Sequence, residues 1–363
     1  MNIYDYLDNY GMYTFEEKPI NLVDKVIFSF LSYVDFKDIV KYNKITIKDA
    51  GRMHLGLHKL EEVNIIAVKE ANKLLRYLKD TNRFKNCLLY NYIYEGTDKM
   101  QFGAICIEYQ KNKVYVSYEG TDQLISGWKE DIVLAYRTNT LSHKKAIRYI
   151  NRLFTFTKKE LIVGGHSKGG NLAMVASMYA NIFVRNNIKE VYNVDGPGLL
   201  AEEFYSNEFR RIINKYKHVI PDNSLVGMLL NNTNEIVVQT TIKGPLSHNI
   251  AYWKIKNNQF LYSTLSPYSS ELRKDILDWL DKTHKNDIRK FANNFQNIFD
   301  TAGIDSLIDL KKKRRLIFDL IENSKTMDNE AKTVLINFIK MIVKSYGDTY
   351  IDEIKNKIKS YVE

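Results

Sequence analysis

The run Leu161-Ile-Val-Gly-Gly-His-Ser-Lys-Gly-Gly-Asn-Leu-Ala173 constrains this chain more than any other stretch. Leu161 to Val163 reads as a short buried strand. Gly165-His166-Ser167-Lys168-Gly169 fits G-x-S-x-G, and a helical segment from Asn171 to Asn181 follows at once. Strand, tight turn and helix in that order form the context in which this pattern makes a nucleophile elbow. The turn forces its central residue into a strained backbone conformation, so the side chain stands clear of the sheet. Flanking glycines let strand and helix pack closely around it. Ser167 is therefore the candidate nucleophile.

The pattern on either side predicts how that turn is mounted. Residues 1 to about 85 read as helical: Asn21 to Tyr33 carries apolar residues at helical spacing with Asn21 as N-cap, and a second helix is expected over about Val63 to Leu78. Phe102 to Tyr109 and Lys113 to Tyr118 read as neighbouring strands joined by a hairpin turn at Asn112. A helix over His143–Phe156 follows, then the elbow, then strands at Val191–Val194, Tyr216–Ile220 and Glu235–Thr241. Alternation of strands and helices predicts three layers, a mostly parallel central sheet with helices on both faces, which together with the elbow is the arrangement of an α/β-hydrolase fold. From about Ser269 the pattern turns wholly helical, with amphipathic segments near 270–282, 286–300, 304–323, 329–345 and 349–361. The expected organisation is an N-terminal helical region (1–85) packed on a hydrolase core (86–268), with a C-terminal helical appendage (269–363).

Composition bounds the rest. The only cysteines, Cys87 and Cys106, suggest neither a disulfide framework nor a zinc site. Met1-Asn-Ile-Tyr-Asp-Tyr-Leu-Asp8 lacks the basic and apolar regions of a secretory signal. No apolar run approaches the ~20 residues that span a bilayer. The expectation is a cytoplasmic protein. Fifty-three Lys and Arg against 43 Asp and Glu give a net charge of +10. That charge, with the basic run Lys311-Lys-Lys-Arg-Arg315 in a helical segment, admits peripheral contact with an anionic membrane, although a solvated face accounts for both. No zinc-finger spacing or aromatic RNA-binding motif is present, so nucleic acid is disfavoured as a partner.

A serine hydroxyl needs a base, nearly always a histidine oriented by a carboxylate, and in an elbow-bearing fold the chain order is Ser, acid, His. Three histidines follow Ser167. His284 falls in the helical appendage and His218 inside a strand, where a structural role is expected. His248 lies in the turn-rich loop Lys243-Gly-Pro-Leu-Ser-His-Asn249 and is the candidate base. Two aspartates between Ser167 and His248 end strands. Asp222 is preferred, because the acid of this architecture usually sits at least one strand beyond the one that follows the nucleophile. Asp195, in Asp-Gly-Pro-Gly, is the alternative, with a turn-shaping aspartate as its plain explanation. Asn223 and Ser224 are candidate supports for the histidine. The oxyanion hole is expected from the backbone N–H of Lys168 and from Thr121 in Ser117-Tyr-Glu-Gly-Thr-Asp122, which ends a strand.

Three motifs resemble those of the class 3 (fungal-type) lipases. These are Ser117-Tyr-Glu-Gly-Thr-Asp-Gln-Leu-Ile-Ser-Gly-Trp-Lys-Glu-Asp-Ile132, Gly165-His-Ser-Lys-Gly-Gly170 and His248-Asn-Ile-Ala-Tyr-Trp253. The N-terminal helical region, the elbow, Asp195-Gly-Pro-Gly198 and Ser224-Leu-Val-Gly-Met-Leu229 together look closer still to the bacterial Mbeg1-like proteins. The resemblance implies Ser167 as nucleophile, His248 as base, and Thr121 and Lys168 as oxyanion donors. It departs at Glu119, where the lipases carry Arg, and at Lys168, where they carry Leu. Pro221-Asp-Asn-Ser-Leu-Val-Gly227 matches their Asp and Val-Pro segment only loosely, so Asp195 stays open as the acid.

The expected function is hydrolysis of a carboxylic ester, from a lipid or another acyl ester, through a Ser-His-Asp triad with neither metal nor organic cofactor. An acyltransferase or thioesterase uses the same machinery. A catalytically weak scaffold that binds a membrane or partner protein is the alternative from another class. Lys168 either attracts an anionic acyl ester or points away and serves by its backbone alone.

Overall fold

A computed structural model of the chain describes residues 1–41, 43–57, 66–97, 100–121 and 139–289. Its centre is a sheet of eight strands lying side by side in chain order. The hairpin expected around Asn112 is formed by β3 (Met100–Gln110) and β4 (Lys113–Tyr118), antiparallel, with Asn112 at φ 62°. Outside β3 lie β2 (Leu88–Thr97) and the short β1 (Ile45–Thr46), both antiparallel. Neither was expected; β2 buries few of its residues and carries a register shift between Tyr90 and Ile93, which blurs its two-residue period.

On the other side of β4 the strands β5 (Glu160–His166), β6 (Ile188–Val194), β7 (Tyr216–Pro221) and β8 (Glu235–Val238) run parallel. The connecting helices are α5 (Leu141–Phe154), α6 (Lys168–Met178), α7 (Ile182–Asn187), α8 (Ala201–Phe204) and α9 (Asn207–Arg210). Each parallel step moves one strand in the same direction. Right-handed crossovers then put their helices on one face of the sheet. Side-chain alternation agrees: Ala104, Cys106, Val114, Val116, Leu161 and Val163 pack with Ala146, Ile150, Leu172 and Val175 of α5 and α6.

The intervening residues Ile105, Ile107, Tyr115 and Ile162 face the other way, into a core completed by the N-terminal segment. That segment holds α1 (Ile3–Tyr10), α2 (Leu22–Phe30), α3 (Ile47–Leu57) and α4 (Ile66–Leu78), and α2 runs into a single 3₁₀ turn over Leu31–Tyr33. Helices cover both faces as expected, but the second face is covered by the N-terminal helices rather than by the alternating crossovers. Asn2 and Asn21 cap α1 and α2, each in a reciprocal box with an aspartate three residues on, Asp5 and Asp24. Asp24 also receives Arg83, whose Nε donates at 2.8 Å; both side chains are wholly buried. Nη2 donates to the other Asp24 oxygen and to the carbonyl of Pro19, and Nη1 to the carbonyls of Tyr13, Thr14 and Lys18, so one guanidinium ties residues 13–19 to α2.

After β8 the chain forms the two-stranded β9 (Ile255–Lys256) and β10 (Gln259–Phe260), and the N–H of Ile255 donates to the carbonyl of Met1 at 2.8 Å. The helix expected near 270–282 is α10 (Pro267–Lys282), capped by Ser266. It lays Leu272, Ile276 and Trp279 on Ile220, Val226 and Met228. Of the expected helices beyond it, the one near 286–300 begins within the described residues, which are helical over 285–289, and the rest, with Lys311–Arg315, lies outside them. No helix among the described residues is long and apolar enough to cross a membrane.

Candidate active site

Ser167 occupies the one-residue turn between β5 and α6 with φ 58° and ψ −133°, a conformation that strains any side-chain-bearing residue. The elbow needs the glycines on either side. A Cβ on Gly165 would lie 2.4 Å from the Gly169 backbone, and one on Gly169 would lie 2.1 Å from the carbonyl oxygen of Tyr118. Ser167 is 5% exposed, its N–H donates to the carbonyl of Val194 at 2.8 Å, and its hydroxyl has no hydrogen-bond partner among the described residues.

Asp195 ends the neighbouring strand β6, itself at φ 46°. Its carboxylate is fully buried and each oxygen is committed. Oδ2 accepts from His248 Nδ1 at 2.7 Å. Oδ1 accepts from the Ser224 hydroxyl and from the Gly227 N–H at 3.2 Å. A carboxylate can only accept, so His248 carries its proton on Nδ1 and leaves Nε2 bare, the tautomer a general base requires.

The preferred acid, Asp222, does not meet the histidine. It lies at the end of β7, where Oδ1 accepts from Thr240 Oγ1 at 2.7 Å and from Asn223 Nδ2 at 2.8 Å. Its backbone N–H donates to the carbonyl of Val238, so this residue fastens the end of β7 to the end of β8 and, through Thr240, to the chain beyond it. The partner of His248 is the alternative residue, Asp195. The difference has a physical cause: at the end of β7 the Ser224–Met228 turn folds back over β6 and supplies the second oxygen of Asp195 with donors, while Asp222 itself turns toward Thr240. Ser224, expected beside the histidine, touches Asp195 instead. Asn223 helps indirectly, since its carbonyl accepts from Ser247 Oγ at 2.9 Å, next to His248. The His248 loop is further pinned by the buried Trp253, whose Nε1 donates to the carbonyl of Ser247 at 2.8 Å.

His218 is buried in β7 as expected of a structural histidine, with Nε2 3.2 Å from the carbonyl of Gly196, under the Asp195 turn. Burial pushes its pKa down to about 3.

Thr121 ends the loop after β4. It is 8% exposed, and its Oγ1 is buried with no partner among the described residues. An unpaired buried hydroxyl at this spot is a donor in reserve for an anionic oxygen. Lys168 is the first residue of α6, where backbone N–H groups have no intrahelical acceptor. Its side chain runs the other way, and Nζ donates to the carbonyl of Gln101 on β3 at 3.0 Å. The amide of Gln101 in turn reaches Glu119 Oε1 at 3.4 Å. The two departures from the lipase pattern, Glu119 and Lys168, thus meet at Gln101 behind the elbow. Asp122 and the Trp128–Ile132 part of the lipase-like segment lie outside the described residues.

Tyr33 and His166 were not singled out from the sequence. Tyr33 Oη lies 2.9 Å from His166 Nδ1, and His166 Nε2 lies 2.8 Å from the carbonyl oxygen of His248. The two imidazoles lie with centroids 4.2 Å apart, tilted at 41° to each other. No local pattern foretells this; only the proximity of His166 to the nucleophile hinted at it.

A strained serine at a strand-to-helix elbow and a hydrogen-bonded Asp-His pair further along the chain, on a mixed sheet flanked by helices, define an α/β-hydrolase fold. The chain belongs to the Mbeg1-like family: a family model of that description matches residues 78–300. A comparison with curated proteins gave no match. Among solved structures the chain is similar to the M37 lipase, at 14% identity and a TM-score of 0.36, over 57% of this chain and 68% of that one. It is similar to a lipase from Rhizopus microsporus var. chinensis at 14% identity and a TM-score of 0.32, over 46% of this chain and 63% of that one. A fungal lipase in complex with an inhibitor matches at 11% identity and a TM-score of 0.33, over 60% of this chain and 79% of that one.

Proposed function

We propose that the protein is a serine hydrolase that cleaves carboxylic esters. The observation that carries this reading is the hydrogen bond of 2.7 Å between half-buried His248 and buried Asp195, beside a serine held at φ 58°. In the proposed reaction His248 Nε2 takes the proton of Ser167 as Oγ attacks the ester carbonyl. Asp195 holds the resulting imidazolium, and the backbone N–H of Lys168 with Thr121 receives the oxyanion. The tetrahedral intermediate collapses as the protonated histidine gives its proton to the departing alcohol. Water, activated by the same histidine, then releases the acid from the acyl-enzyme.

A lipid or other acyl ester as substrate rests on the lipase-like motifs. The Lys168 ammonium is turned toward Gln101, which argues against its reading an anionic head group. Free thiols at Cys87 and Cys106 fit a reducing, cytoplasmic setting. Peripheral contact with an anionic membrane belongs to this proposal through the net charge of +10. The scaffold reading draws on one observation, a Ser167 that is 5% exposed and has no hydrogen bond to His248 among the described residues. Apo hydrolases often carry that bond long or misaligned, so the enzyme reading is preferred.

Hydrolysis of p-nitrophenyl esters from short to long acyl chains tests it. Activity in the wild type that vanishes in Ser167→Ala and His248→Ala supports the proposal, and the best chain length separates lipase from short-chain esterase. Activity unchanged in Ser167→Ala would falsify it.

A further inference from the structure

His166 is the second residue of Gly-His-Ser-Lys-Gly and takes no chemical part in the proposed reaction. Its ring is nonetheless held on both nitrogens and packed between Phe30 and His248. A carbonyl can only accept, so the contact with the His248 carbonyl fixes the His166 proton on Nε2. Nδ1 is then bare and accepts from the Tyr33 hydroxyl. Both hydrogen bonds need the same neutral tautomer. Burial, and then the neighbouring His248, hold the His166 pKa well below the usual imidazole range, so that form persists. Phe30 meets the His166 ring edge-on at 4.9 Å, and His248 covers it at 4.2 Å.

Tyr33 also touches the oxyanion loop. A Cβ on Gly120 would lie 2.1 Å from Tyr33 Oη and 2.5 Å from the carbonyl oxygen of His166. The hydroxyl fills the notch that Gly120 leaves one residue before Thr121. One side chain from the turn after α2 therefore touches both the elbow and the oxyanion loop, and through His166 it reaches the His248 loop.

We propose that Tyr33 and His166 are positioning residues for His248, a clamp in which Tyr33 fixes the tautomer of His166 and His166 holds the backbone of His248. The inference rests on the hydrolase reading for what His248 does. Its consequence is that the N-terminal segment, which lies outside the matched residues 78–300, is part of the catalytic unit. The sheet needs that segment to cover one face; the site needs it for a different reason.

The full-length chain tests this with Tyr33→Phe, His166→Leu and His166→Gln, in which the Gln amide replaces the Nε2 donor. Three quantities are read: the rate of Ser167 labelling by a fluorophosphonate, thermal unfolding, and the low-field NMR resonance of the proton between His248 Nδ1 and Asp195. Loss of one hydrogen bond in the clamp is expected to slow labelling about three- to tenfold in Tyr33→Phe. The Leu variant is expected to lose more, and the Gln variant to recover most of that loss. The low-field resonance broadens in the Phe and Leu variants and sharpens again with Gln. Folded variants with wild-type rates and an unchanged resonance overturn the clamp. So do equal losses in Leu and Gln, which would make the ring's bulk the only contribution. A wild type that does not label while its resonance responds as expected sinks the hydrolase reading and leaves the clamp standing.

Discussion

Asp195 does two things with one unusual backbone conformation. At φ 46° it ends β6 and swings its carboxylate toward His248, while Ser224 and Gly227 saturate the other oxygen. A carboxylate so gripped has little freedom to leave the imidazole. Asp195→Asn keeps the shape but offers an amide where Nδ1–H needs an acceptor, so ester hydrolysis should fall by about 10⁴-fold in a protein that still folds. Asp222→Asn should leave the rate within about threefold and cost roughly 1 kcal/mol of stability through the Thr240 contact. Parallel kinetics and unfolding on the two variants check this; the reverse ranking would return the acid to Asp222. Thr121→Val removes the unpaired hydroxyl at near-constant volume. It should lower kcat by about a hundredfold with little change in KM, if that hydroxyl meets the oxyanion.

At the scale of elements, the N-terminal helices depend on a buried ion pair. Arg83 follows α4 in the chain, yet its guanidinium is spent on Asp24 in the first turn of α2 and on four carbonyls of the segment between α1 and α2. Removing the arginine strands a carboxylate with no exposed surface. Arg83→Met should destabilise the protein by about 3–5 kcal/mol, and Arg83→Met with Asp24→Leu should recover much of that. Denaturant unfolding of the single and double variants reads it, and near-additive losses would show that the pair is not the cause. Because Tyr33 closes the turn directly after α2, a loosened α2 should also slow labelling of Ser167.

For the whole molecule, acid is the natural stress. Burial pushes the pKa of His218 from 6.5 to about 3, and that of His166 moves in the same direction. Between those limits the unfolded chain binds a proton at His218 that the folded chain refuses. The stabilisation is whole above pH 6.5 and drains away as the pH falls toward about 3. Glu203 works in the opposite sense: burial pushes it from 4.5 up to about 7, so the folded state holds its proton over that window. The wild-type Tm should fall between about pH 7.5 and about pH 5, and His218→Gln should flatten that fall. A variant with the wild-type slope would remove His218 from the account.

The sequence by itself determined what is local. Thirteen residues, Leu161 to Ala173, carry strand, turn, glycines and helix together, so the elbow and Ser167 were legible without any partner. The hairpin at Asn112 and the N-cap at Asn21 were legible for the same reason, since each is set by neighbours in the chain, and strand-helix alternation gave the mostly parallel sheet without its strand order. His248 was reachable by elimination among three histidines. Which of the two strand-end aspartates meets His248 was not, because that bond spans 53 residues. That bond depends on a positive φ at Asp195 and on which way the turn after β7 folds. The same holds for the second face of the sheet and for Tyr33, which meets His166 across 133 residues. Periodicity shows that a helix has an apolar face, but only packing decides which sheet surface receives it, and only that packing brings the Tyr33 hydroxyl to His166, against His248.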